Sequence, residues 1–110
     1  MSREQEKSLN TSYNYHYNSY INYILSGLDR KKAEIRYDPH ALKRKDYWKL
    51  DLNKIREAIQ EGKILQDKCE KPNKICFTRY YGKENITYVI IVRYHKEYIE
   101  VKTAWPKKGK

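Results

Sequence analysis

Three runs rich in β-branched and aromatic residues, 75–81, 86–94 and 98–105, crowd into the last third of this 110-residue chain. Each is long enough for a strand, and the gaps between them are short and polar: Gly82-Lys83-Glu84-Asn85, then His95-Lys96-Glu97. Such runs, punctuated by turn residues, predict an antiparallel meander. Strict alternation along the last run puts Ile99, Val101 and Thr103 on one face. Tyr98, Glu100, Lys102 and Ala104 then take the other. Residues 63–66 are expected to add a short edge strand.

Upstream, the apolar period lengthens from two to between three and four. Asp51 is followed by Leu52, Ile55, Ala58 and Ile59, with Gly62 as a stop, which predicts a helix over 52–61. Asp38-Pro39 is another start signal, an N-cap carboxylate followed by a residue with no N–H to satisfy. That helix runs towards Tyr47 and Trp48 and sets His40, Lys43 and Arg44 on one side of its first turns. Further back, Tyr13, Tyr17, Tyr20, Ile24 and Leu28, widened by Ile21 and Leu25, predict a helix over 14–28. It stops at Asp29-Arg30-Lys31-Lys32. A tyrosine stripe at this spacing is expected to be a packed face with its hydroxyls at the water edge.

The fold class expected is therefore α+β, with N-terminal helices on a small, twisted antiparallel sheet of three to four strands. Residues 1–36 form a helical extension to an α+β domain over 37–110, the whole making one compact unit. Only 39% of residues are hydrophobic and mean hydropathy is -1.06, so the core is small. No run approaches the ~20 apolar residues needed to span a bilayer. The first ten residues are polar, and no secretory leader is expected.

Lys and Arg number 24 against 14 Asp and Glu, a formal charge of +10. The surplus is uneven, +2 over residues 1–37 and +8 over 38–110. A field of this sign attracts polyanions, nucleic acid first, then anionic membrane surfaces and acidic proteins. Cys69 and Cys76 fit no metal knuckle or CxxC redox motif. A disulfide across the turn at Pro72 and two thiols are both compatible with their spacing.

There is no Gly-rich phosphate loop, HExxH or GxSxG, and the carboxylates are too scattered for a two-metal nuclease. RNA cleavage without metal remains, because RNA carries its own nucleophile in the 2′-OH. Such an enzyme needs a base, a proton for the leaving oxygen, and cations for the charge developing on phosphorus. His40 beside Lys43 and Arg44 offers that combination. His16 and His95 read as exposed surface residues.

The stretch PHALKRKDYWKLDLNKIREAIQEG from Pro39, together with residues 75–105, resembles the colicin D-like ribonuclease domains. These belong to the wider BECR-fold class of toxin ribonucleases, with EndoU-type and RelE-type members, found in polymorphic and contact-dependent inhibition toxins. The resemblance lies in the His40-Ala41 pair at a helix start and in the helix bearing Lys54, Arg56, Ala58, Ile59 and Glu61. It continues in the strand Val89-Ile90-Ile91-Val92 and the closing Thr103-Ala104-Trp105-Pro106. It covers roughly the last 70 residues.

The resemblance implies a metal-independent, cofactor-free endoribonuclease that cuts the tRNA anticodon loop and leaves a 2′,3′-cyclic phosphate. By position, His40 corresponds to the catalytic histidine, Thr103 to the hydroxyl that contacts phosphate, and Trp105 to the tryptophan that follows it. Asp38 and Pro39 stand where the family carries lysines, so Lys43, Arg44 or Arg79 is expected to supply the cation. The implied partners are tRNA and an acidic immunity protein or antitoxin, with action in the cytoplasm of a target cell. The alternative is a non-catalytic basic module that binds RNA or DNA.

Overall fold

A computed structural model describes residues 20–110 of the chain. The described chain is α+β. Helical residues 20–26 (α1) lead through a turn into β1 (Glu34–Tyr37), then α2 (Pro39–Trp48) and α3 (Leu52–Glu61). There follow β2 (Lys63–Ile64), a short 3-10 turn at Gln66–Lys68, β3 (Lys74–Tyr81), β4 (Ile86–Tyr94) and β5 (Tyr98–Lys108). The remainder of the helix expected over 14–28, with Tyr13, His16 and Tyr17, lies outside the described residues.

The helices start where their caps predict. Asp38 accepts from the His40 N–H and Asp51 from the Asn53 N–H, each satisfying one orphan donor of a first turn. α2 ends at Lys49 in the left-handed region, φ 55. α3 buries Ile55, Ala58 and Ile59 against β3 and β4. Its end at Gly62 is steric. A Cβ there would collide with the Ala58 carbonyl and lie 2.6 Å from that of Thr78.

The sheet differs from the expected meander. It has five strands in the order β1-β5-β4-β3-β2, and β1 runs parallel to β5 while every other pair is antiparallel. The extra strand, Glu-Ile-Arg-Tyr, is four residues long with two charged positions, so it leaves little pattern to detect. Its partner is 64 residues away in the chain, Glu34 opposite Tyr98. This strand straddles the boundary expected between residues 36 and 37, and Ile21 and Ile24 of α1 join the buried core. Residues 20–36 are therefore built into the domain.

Ile75, Phe77, Ile90, Val92, Ile99 and Val101 are fully buried and share the helix-covered face by register. On the other face Cys76 is covered by the 65–70 segment, where Cys69 Sγ accepts from the Cys76 N–H at 3.4 Å. Burial pushes the Cys76 thiol up to about 12. Among the described residues no helix is long and apolar enough to cross a membrane.

Candidate active site

The site expected from the sequence depends on which way Thr103 points, and a single irregularity in β5 decides that. Val92 of β4 pairs with Val101, yet Ile91 pairs with Thr103, so Lys102 is an extra residue with no opposite number. An inserted residue reverses the alternation beyond it. Ile99 and Val101 stay in the core, but Ala104 now joins them, 1% exposed. Thr103 and Trp105 turn onto the opposite face with Tyr98 and Glu100. The expectation that Thr103 shares the face of Ile99 and Val101 is thereby corrected.

α2 is anchored at the bulge. The Asp38 N–H donates to the Val101 carbonyl at 2.9 Å. Asp38 Oδ1 accepts from the His40 N–H at 2.8 Å, and Oδ2 accepts from Lys102 Nζ at 2.6 Å. The Lys102 ammonium, helped by the His40 N–H, holds the Asp38 carboxyl below the usual carboxylate range. Asp38 in turn raises Lys102 above its ordinary value. Both partners are thus charged near neutrality. The clamp sets the first turn of α2 beside the segment that carries Thr103. His40 itself is exposed, and Lys43 and Arg44 share its exposed side of the helix one turn on.

A second histidine completes this end of the sheet. His95 Nε2 lies 2.7 Å from Glu100 Oε1, and Glu100 Oε2 lies 3.8 Å from Lys102 Nζ. The His95 ring stacks on Tyr98 at 4.6 Å, and the Arg36 guanidinium sits 4.0 Å above Tyr98 on its own account. Arg36, Glu100 and Arg93 stand opposite one another on three neighbouring strands. Polar contacts therefore run continuously from Asp38 through Lys102 and Glu100 to His95.

Thr103 and Trp105 line a groove with Ile91, Lys74, Lys68 and Asp67. Trp105 is half-buried and also packs on the core. The structure thus brings His40, Lys43 and Arg44 onto one helix face and Thr103 and Trp105 into one groove, with the Asp38–Lys102 clamp between helix and strand. Arg79 is elsewhere. Its register places it on the helix-covered face with Tyr81, where it meets Glu61 of α3 at 3.6 Å. The cation that meets Asp38 is Lys102.

Sequence patterning missed Lys102, Glu100 and His95 as members of this group. One signal was present: a histidine ending a strand before a three-residue turn can reach back to the returning strand. Among the described residues no group of three His, Cys, Asp or Glu could hold a metal ion. No family model, no curated protein and no solved structure matches this chain.

Proposed function

We propose that this protein is a metal-independent endoribonuclease with a BECR-like domain. The observation that carries the proposal is the Asp38–Lys102 clamp at 2.6 Å, which couples the turn bearing His40 to the bulge that exposes Thr103. In the proposed reaction His40 takes the proton of a ribose 2′-OH, and that oxygen attacks the adjacent phosphorus. The P–O5′ bond breaks, the departing 5′-oxygen takes a proton from solvent water, and the products are a 2′,3′-cyclic phosphate and a 5′-hydroxyl. Lys43, Arg44 and Lys102 offset the negative charge growing on the phosphate oxygens, and Thr103 donates a hydrogen bond to it. No cofactor enters these steps.

The family resemblance supports tRNA, cut in its anticodon loop, as the substrate. It also supports a toxin role in the cytoplasm, restrained by an acidic immunity protein or antitoxin that covers the basic face. The test is incubation of the protein with total tRNA in EDTA, followed by mapping of the new 3′ ends. Cyclic phosphate ends at defined positions are expected, and His40→Ala should slow their appearance by about 10²–10⁴ with the fold intact. RNA that is bound but uncut by the wild-type chain would leave the alternative, a non-catalytic RNA-binding module.

A further inference from the structure

The last turn of α2 exposes aromatic surface that the site described above does not use. Tyr47 is 69% exposed and Trp48 43%, their rings meeting edge to face at 4.9 Å. Beside Trp48 is a shallow cavity of about 420 Å³, also lined by Ile86, Pro106 and Lys108. Its one carboxylate, Glu84, is already engaged by Lys54. Lys108 lines it, Arg44 and Lys49 lie one turn before and directly after Trp48 along the chain, and none of the three has a carboxylate partner among the described residues.

We propose that Tyr47 and Trp48, with Pro106 and Lys108, form a second RNA-binding site that takes an unpaired base of the strand leaving the reactive phosphate. It rests on the ribonuclease reading for the direction of that strand. An exposed indole beside a cavity that carries a lysine fits a nucleobase and its phosphate, since every base offers a π-face and stacking on Trp is sequence-tolerant. The surface is also continuous with the reaction centre. Tyr47 lies two turns beyond His40 on the same side of α2, and Lys43 and Arg44 fill the interval. Eight residues of helix from His40 to Trp48 rise about 12 Å, so the strand reaches Trp48 only beyond the nucleotide being cut. An acidic protein also suits the lysines and arginine, but it makes no use of an exposed indole at an open cavity.

The test is binding of a fluorescein-labelled, fully 2′-O-methylated 12-mer RNA, which has no 2′-OH and cannot be cut. Anisotropy gives the affinity. Trp48→Ala should weaken binding by roughly tenfold, the scale of losing one stacked base, and Trp48→Phe should restore most of it. Lys108→Glu should weaken binding without touching an aromatic ring, which covers the case of a poorly folded Trp48→Ala. In a Trp105→Phe background Trp48 is the sole tryptophan, and saturating RNA should quench its fluorescence. Unchanged affinity in Trp48→Ala and Lys108→Glu, with unquenched Trp48, overturns the site and leaves an acidic protein as the fitting occupant. Trp48-dependent binding by a chain that cleaves no RNA upholds the site while the ribonuclease reading fails. With cleavable RNA, the proposal expects Trp48→Ala to raise KM for a 12-mer and to leave a dinucleotide's KM unchanged.

Discussion

Asp38 makes bonds that belong to three levels of the fold at once. Its N–H continues the β1 edge onto Val101, one carboxylate oxygen caps α2, and the other holds Lys102. Its lowered pKa means that the folded state binds this proton less readily than the unfolded chain. The stabilisation is therefore present above the ordinary carboxylate value of about 4 and is lost as pH falls through the lowered one. Lys102 is raised, so its contribution holds below about pH 10 and fades as pH rises beyond. Asp38→Asn keeps the cap, because Asn caps as well as Asp, and removes only the charge. Its melting temperature should lie below that of the wild type at pH 7, and the gap should close in melts taken below about pH 4. A gap unaltered by pH would show that the Asp38 charge adds nothing to stability.

At the scale of elements, the decisive feature is one unpaired residue in β5. If the only work of the bulge is to set Thr103 on the groove face, the strand does not need Lys102 once that face is reached without it. Deleting Lys102 leaves regular pairing in which Thr103 still meets Ile91 and Ala104 still enters the core. That variant should fold and cleave RNA at the same rate as Lys102→Ala, which removes the ammonium but keeps the inserted residue. A rate well below that of Lys102→Ala would mean that the bulge itself, and not only the charge of Lys102, is what matters. The α3–β2 corner is a second such point. Gly62 has an ordinary φ of -72, so its need for glycine comes from contact with two carbonyls, not from backbone conformation. Gly62→Ala should cost about 1–3 kcal/mol through forced backbone shifts, measured by urea unfolding. The Lys54 backbone carbonyl and the Glu57 carboxylate of α3 accept from the Tyr81 hydroxyl, so this shift is expected to be felt along β3.

At the scale of the whole molecule, the excess of ten positive charges governs encounter with RNA more than its chemistry. Binding to single strands releases about 0.7 counterions per phosphate neutralised. An interface reaching from the Thr103 groove along α2 should therefore show a steep salt dependence. Affinity for the 2′-O-methyl 12-mer should fall by about 300-fold from about 50 to 200 mM KCl if some six phosphates are engaged. A flat dependence would assign the charge to solubility and remove RNA as the partner.

α2, α3 and the three long strands were legible in the residue order because their causes are local. An Asp cap acts two residues away, helical and strand periods repeat within a few residues, and a polar turn joins neighbouring runs. His40, Lys43 and Arg44 could be placed on one helix side for the same reason. What decides the site is not local. β1 becomes a strand only because β5 offers it an edge, and Thr103 faces the groove only because β4 pairs around Lys102. Asp38 meets Lys102 across 64 residues of chain. Such pairings are chosen by the free energy of the whole packed sheet, in which every competing register must bury the same core. A residue's immediate neighbours carry no record of that choice, so only the tertiary structure could make it.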